Sequence, residues 1–141
     1  MATKIAFFDT KSYDRETFNK VNLQFGFDIT YFKERLSMNT VSLTQGVDAV
    51  CIFVNAECDE RVIQRMAEYG VKLIALRCAG FNNVDVAAAK KYGIKVVRVP
   101  AYSPHAVAEY AVTLMLTLNG EDEQIPVSRR RVASLKKALG L

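Results

Sequence analysis

Short apolar runs separated by helical patterns constrain the fold of this chain more than any other feature. The last three runs are apolar at nearly every position, which is typical of strands covered on both faces of a parallel sheet. We therefore expect a core of buried β-strands. The five runs are Lys4–Phe8, Asp28–Phe32, Ala49–Val54, Val71–Leu76 and Ile94–Val99.

Helical patterns fill the intervals between the runs. Asp59 can cap a helix that ends at Gly70, and the pattern at Val84–Tyr92 ends in the same way at Gly93. Strands and helices that alternate five times predict an α/β fold. The expected architecture is a flavodoxin-like three-layer α/β/α domain with a five-stranded parallel sheet in the order 2-1-3-4-5. The predicted buried stripe of the first of these helices is Val62, Ile63, Met66 and Ala67.

The size of the chain limits what it can do. Its 141 residues, half of them apolar and 24% charged, suit one globular domain, so an activity that needs separate substrate and cofactor domains does not fit. The net charge of +4 is modest. Half of it lies in residues 120–141, too little to predict a nucleic-acid partner.

Cysteine usage indicates a reducing compartment. Cys51, Cys58 and Cys78 form an odd set with no CxxC pair and no nearby histidine, so we expect free thiols and no metal site. No stretch resembles a secretory signal or a membrane span. The sequence therefore predicts a cytoplasmic protein with no membrane partner.

In an open parallel sheet, ligands bind beyond the carboxyl ends of the strands. Gly80 differs from the helix-ending glycines because it follows a strand. Two interpretations stay open: the backbone there approaches a ligand, with the amides of the turn holding a carboxylate, or the turn requires a positive φ. Tyr102 either faces the crevice or packs on the surface. The predicted strand-end loops are Asp9-Thr10, Asn55–Glu57, Cys78–Asn83 and Pro100–Ser103.

Several site classes are excluded by absent motifs. The sequence contains neither GxGxxG nor GxxxxGK[ST], the signatures of dinucleotide sites and P-loops. A phosphoacceptor receiver domain is disfavoured because Asp9, Asn55 and Pro100 stand where it needs an acidic pair, an aspartate and a lysine. His105, the only histidine, follows a helix start and is interpreted as a surface residue near the cleft.

The C-terminal third is predicted to add an interface and a closing helix. The helix Ser103–Asn119 is apolar on every side, so we expect it to mediate homo-oligomerisation as well as burial. Residues 120–127 have the composition of a linker. Residues 128–141 are predicted to form a helix that docks on the same domain.

Three linked motifs resemble a known family. Their order and spacing are similar to those of the N-terminal catalytic domain of the NAD-dependent D-2-hydroxyacid dehydrogenases, most of all in the D-lactate dehydrogenase subgroup. The segments are Arg77–Asp85, Ala87–Ile94 and Val97–Glu109. The opening residues 4–14 fit the same subgroup. The resemblance spans residues 1–119.

The resemblance implies a flavodoxin-like domain that forms one wall of a substrate cleft. In the family, the backbone at Cys78, Ala79 and Gly80 helps to hold the substrate carboxylate, and the tyrosine matching Tyr102 contacts the substrate. The full enzyme interconverts a 2-oxo acid and a D-2-hydroxy acid with NAD, and its catalytic arginine, glutamate and histidine lie in a nucleotide-binding domain without counterpart here. His105 does not match that histidine.

From this we expect an isolated substrate-binding domain in a truncated or engineered form, inactive alone. It would carry no catalytic residue and no bound cofactor, and would bind a small 2-oxo or 2-hydroxy acid weakly. One alternative is a non-enzymatic flavodoxin-like scaffold or self-associating module, natural or designed. A weaker alternative is a flavin or nucleotide binder.

Overall fold

Parallel strands and helices alternate along the residues described by the computed structural model, residues 1–100. Three α-helices and one 3-10 helix connect five strands in this part of the chain. The strands are β1 Lys4–Phe7, β2 Asp28–Tyr31, β3 Ala49–Ile52, β4 Leu73–Leu76 and β5 Lys95–Arg98. The α-helices are α1 Ser12–Asn22, α2 Glu60–Glu68 and α3 Val86–Lys91, and the 3-10 helix is Val41–Thr44.

The five strands form one parallel sheet in the order β2-β1-β3-β4-β5. The predicted fold class and strand order are therefore confirmed. Each strand lies inside the apolar run that predicted it. The interior strand β1 places Phe7 opposite Tyr31 of β2 and Cys51 of β3.

Helices cover both faces of the sheet. On one face, the ring of Phe18 from α1 meets the edge of the Phe7 ring at 4.7 Å. On the other, α2 and α3 pack together over the main apolar core. Successive residues of a strand point to opposite faces, so the side chains of Ala6 and Phe7 in β1 pack on opposite faces of the sheet. Large fully buried members of the main core include Phe8, Leu36, Ile52, Ile63, Met66 and Ile74.

The predicted cap of α2 and three of the four residues of its predicted buried stripe are confirmed. The Asp59 carboxylate accepts a 3.0 Å hydrogen bond from the amide of Val62, which satisfies a donor that the first helical turn leaves free. Val62, Ile63 and Met66 are buried, and Ala67, the fourth predicted residue, is only partly buried. The helix is followed by Gly70 at φ +88°, where a side chain would be strained.

The second crossover differs from the expected alternation. Between β2 and β3 the structure has only the 3-10 helix. The Thr40 hydroxyl accepts from the Ser37 amide at 3.0 Å and donates to the Arg35 carbonyl at 2.8 Å, local bonds that compete with helical ones. Few apolar side chains of this crossover are buried, too few to form the stripe of an α-helix.

The expectation that the fifth strand is covered on both faces is wrong. Lys95, Val97 and Arg98 are exposed, whereas all four residues of β3 are buried. The position of β5 accounts for this, because in the described residues it lies at the edge of the sheet, next to β4. An apolar run alone does not distinguish a central strand from an edge strand.

Candidate functional site

The carboxyl ends of the parallel strands meet at one edge of the sheet. The loop that follows β4, residues 77–85, lies there beside the end of β5. The backbone amide of Val99 donates to the carbonyl of Cys78 at 3.3 Å, which joins the loop to the chain after β5. The predicted loop Cys78–Asn83 is therefore attached at its first residue to the end of the fifth strand.

The three predicted binding residues in this loop have their carbonyls engaged. Besides the Cys78 carbonyl, that of Ala79 accepts from the Arg98 guanidinium at 3.2 Å, and that of Gly80 accepts from the Cys78 thiol at 3.3 Å. Within residues 1–100, the amides of Ala79, Gly80 and Phe81 donate to no protein acceptor. The loop therefore keeps hydrogen-bond donors available to solvent or to an anion.

Gly80 is not explained by backbone strain. Its φ lies outside the left-handed region, and a Cβ built on it would meet no heavy atom within 4 Å. The tight-turn interpretation, which requires a positive φ, is therefore not supported. Open space beside the backbone is what the ligand interpretation needs.

Asn83 fixes the far side of the same loop. Its side-chain amide donates to the carbonyls of Phe53 and Ala56, each at 3.1 Å, and so ties the loop after β4 to the loop after β3. An isolated parallel bridge between Cys58 and Val84 lies next to it. These contacts hold the free amides on a supported loop.

Arg77, which was not predicted as a site residue, contacts several residues at the carboxyl edge of the sheet. Its side chain is only 10% exposed and donates to the backbone carbonyls of Phe8 at 3.0 Å and Asp9 at 2.7 Å. The guanidinium carbon lies 4.5 Å from the ring centroid of Phe7 and 4.9 Å from that of Phe53. Its charge is partnered by the Asp14 carboxylate at 3.5 Å.

Asp9 is a second residue whose backbone conformation and burial were not predicted from the sequence. It has φ +52°, a region that non-glycine residues seldom occupy, and it is buried. The Lys11 ammonium donates to its carboxylate at 2.6 Å. This hydrogen bond lowers the pKa of Asp9 against the raising effect of burial, and the charge of Arg77 adds to the lowering.

The three cysteines are free, as predicted, and all three are buried. Burial raises the pKa of Cys51 to about 11 and that of Cys58 to about 12. Burial also raises the pKa of Cys78, with the nearby positive charge of Arg77 acting in the opposite direction. Thiols of this kind are unreactive at neutral pH, so they offer no nucleophile.

Other features of the described residues do not form a second site. In residues 1–100, no group of three or more His, Cys, Asp and Glu side chains could hold a metal ion. No helix in the same range is long and apolar enough to cross a membrane. A cavity of about 170 Å³ lies against α2, and none of its lining residues belongs to the loop after β4; they are Met38, Arg61, Gln64, Arg65 and Glu68.

Several predictions concern residues outside the described part of the chain. These are the roles given to Tyr102 and His105, the helix Ser103–Asn119, the linker 120–127 and the closing helix 128–141. They stay predictions. The structure thus places three of the four predicted binding residues, Cys78, Ala79 and Gly80, in one loop with available amides.

Comparison with known proteins identifies the family. Residues 5–139 match the family model described as D-isomer specific 2-hydroxyacid dehydrogenase, catalytic domain. This match extends past residue 119, the end of the resemblance predicted from the sequence. A 2-hydroxyacid dehydrogenase homolog of Zymomonas mobilis is 49% identical over 142 residues, which is 98% of this chain and 42% of that protein.

Two further comparisons concern Escherichia coli. Its D-lactate dehydrogenase is 52% identical over 116 residues, covering 82% of this chain and 35% of the enzyme. The apo-structure of D-lactate dehydrogenase from the same organism superposes with a TM-score of 0.80 at 51% identity, over 83% of this chain and 37% of that one. The chain therefore spans well under half the length of these relatives. It belongs to the D-isomer specific 2-hydroxyacid dehydrogenase family and corresponds to the catalytic domain of that family.

Proposed function

We propose that this chain is a substrate-binding domain in which the loop after β4 holds the carboxylate of a small 2-oxo or 2-hydroxy acid. One observation carries the proposal: the carbonyls of Cys78, Ala79 and Gly80 are all engaged, while neighbouring amides have no acceptor in residues 1–100. A carboxylate accepts several such donors at once. Gly80 leaves room for it to approach.

Family membership supports the choice of substrate class. The relatives include an enzyme named D-lactate dehydrogenase, so pyruvate and D-lactate are the acids we propose first. Tyr102 is proposed to contact the substrate beyond its carboxylate. Because two or three amide hydrogen bonds exposed to water contribute little net free energy, we expect a dissociation constant of about 1 mM or weaker.

The described residues do not fit NAD, the cofactor that the resemblance implies for the full enzyme. The turn after β1 and the first turn of α1, a common phosphate site in related folds, carry the buried carboxylates of Asp9 and Asp14 instead of glycines. Both are paired with cations, Asp9 with Lys11 and Asp14 with Arg77. A pyrophosphate placed there would face two carboxylates, so no reaction step is assigned to this chain.

We also propose that the chain alone does not turn over substrate. Its single histidine, His105, does not match the acid/base histidine that the resemblance implies. An assay with NADH and pyruvate is expected to give no oxidation above the protein-free rate. Sustained oxidation that scales with protein concentration would overturn this part of the proposal.

Binding is tested by NMR on the ¹⁵N-labelled chain. Pyruvate is titrated at constant ionic strength, with acetate as a carboxylate without the oxo group and acetone as an oxo compound without the carboxylate. We expect pyruvate and acetate to shift the amide resonances of Ala79, Gly80 and Phe81, and acetone to leave them in place. Absence of shifts at these amides up to about 100 mM pyruvate, where a millimolar site would be saturated, contradicts the proposal.

Self-association and location remain predictions. The helix Ser103–Asn119 is proposed to pair two copies of the chain, and light scattering across a concentration series measures this directly. A monomer at every concentration counts against it. Cytoplasmic location is proposed from the three buried free thiols, which suit a reducing compartment.

A further inference from the structure

Arg98 contacts the candidate binding loop at two places. Its guanidinium donates to the carbonyl of Ala79 at 3.2 Å, and its central carbon lies 5.0 Å from the ring centroid of Phe81. Arg98 is the last residue of β5, so it holds the loop from the neighbouring strand. These contacts are on the surface, since Arg98 and Phe81 are exposed.

The carbonyl that Arg98 contacts belongs to the same peptide group as the amide of Gly80. A trans peptide directs its C=O and its N–H in opposite directions. An arginine that holds the carbonyl on one side therefore directs the Gly80 N–H to the other side. It also polarises the peptide, because a positive donor on the oxygen makes the N–H a stronger donor.

A glycine at position 80 makes rotation of the Ala79–Gly80 peptide group easier than another residue would. Gly80 has no side chain, and an added Cβ would meet nothing within 4 Å, so the glycine itself offers little resistance to a change of its φ. A rotated peptide would present the carbonyl of Ala79, instead of the Gly80 amide, to a bound carboxylate. The two negative oxygens would then repel each other.

We propose that Arg98 is a positioning residue that keeps the Ala79–Gly80 peptide in the orientation competent for carboxylate binding. This inference rests on the proposed function of the loop. Arg98 acts through the peptide rather than by contact with the acid. The planar guanidinium suits the role because it can donate to an oxygen and stack on the Phe81 ring at the same time.

The test compares three variants of the whole chain, with an unchanged thermal midpoint as the check on folding. Arg98→Met removes the donor and keeps the stem, Arg98→Lys keeps the charge without the planar group, and Lys95→Met removes one exposed charge from the same strand as a matched control. Without ligand, we expect Arg98→Met to shift the Ala79 carbonyl ¹³C resonance and to broaden the Gly80 amide. Lys95→Met leaves both resonances unchanged.

With pyruvate, we expect Arg98→Met to bind about fivefold to tenfold more weakly than the parent chain, the loss typical of one charge-assisted hydrogen bond partly exposed to water. We expect Arg98→Lys to recover less than half of that loss. Full recovery by lysine would show that charge alone matters and would overturn the positioning role.

Unchanged Ala79 and Gly80 resonances in Arg98→Met would overturn the positioning role as well. If the parent chain itself shows no response to pyruvate at the Gly80 amide, the proposed function of the loop is overturned instead. The ligand-free spectra then still decide whether Arg98 orients the peptide.

Discussion

Arg77 holds Asp9 from across the sheet: its Nη2 atom donates a 2.7 Å hydrogen bond to the backbone carbonyl of Asp9, 68 residues earlier in the chain. Asp9 has a positive φ, a conformation that persists only where the surroundings impose it. Its own amide is fixed by the carbonyl of Glu34 at 2.7 Å. The end of strand β1 is thus held by hydrogen bonds from two directions.

Replacement of Arg77 should reveal how strongly it holds this strand end. Arg77→Met leaves two backbone carbonyls and the Asp14 carboxylate without their buried cation, and we expect a loss of about 3 kcal/mol in the free energy of unfolding. Urea denaturation followed by circular dichroism measures it. The control is Arg65→Met, which removes an arginine from an exposed ion pair with Glu68 and should change stability by less than about 1 kcal/mol. Equal losses in the two variants would contradict this role of Arg77.

The pair of Asp9 and Lys11 predicts a pH dependence. The pKa of Asp9 is lower in the folded chain, chiefly because Lys11 donates to its carboxylate, so the charged form favours the fold. This contribution is complete above the unfolded pKa of about 4 and is lost as the pH falls through the folded pKa. Stability should therefore decline below about pH 4.

Lys11→Met is the variant that isolates this effect. Without the ammonium, burial is the larger remaining influence on Asp9, so its pKa should rise relative to the parent chain. Carboxyl ¹³C shifts followed through a pH titration give both values. An unchanged Asp9 pKa in Lys11→Met would show that another group sets it.

Alanine substitution at two glycines should separate binding from stability. In Gly80→Ala the new methyl group meets open space at an ordinary φ, so the free energy of unfolding should change by less than about 1 kcal/mol. The same methyl group occupies space beside the backbone where the carboxylate is proposed to approach, so pyruvate binding should weaken about threefold or more. Gly93→Ala forces a side chain onto φ +75° and should lose about 1 to 2 kcal/mol. A large loss of stability in Gly80→Ala would contradict this account.

The cysteines should be protected in the folded chain. With the pKa of Cys51 at about 11 and that of Cys58 at about 12, almost no thiolate forms at about pH 8, and all three side chains are buried. A thiol reagent should therefore label the native chain slowly and all three cysteines rapidly in urea. Fast labelling of one native cysteine would locate a local opening.

The sequence was sufficient for the elements that depend on local patterns. The cap at Asp59 and the stripe through Ile63 need only a few neighbouring residues to be recognised, and both are observed. The 3-10 helix was not predicted because its local side-chain bonds, such as those of Thr40, depend on loop geometry. The exposure of β5 depends on its place in the sheet, which apolar composition does not encode.

The residues of the candidate site were likewise only partly predictable from the sequence. Gly80 could be selected from its place after a strand, and family motifs added Cys78 and Ala79. Arg77 could not, because a basic residue at a strand end is usually solvated. Its burial requires Phe7 and Phe53, which are close to it only after the sheet has formed.

The strand order allows the sheet to form in the order in which the strands leave the ribosome. β1 gains its first partner when β2 emerges, β3 then pairs with the free side of β1, and β4 and β5 each join the strand made just before. No strand has to be inserted between two that are already paired. The sheet can therefore grow outward in the order of synthesis, and no existing strand pair has to separate to admit a later strand.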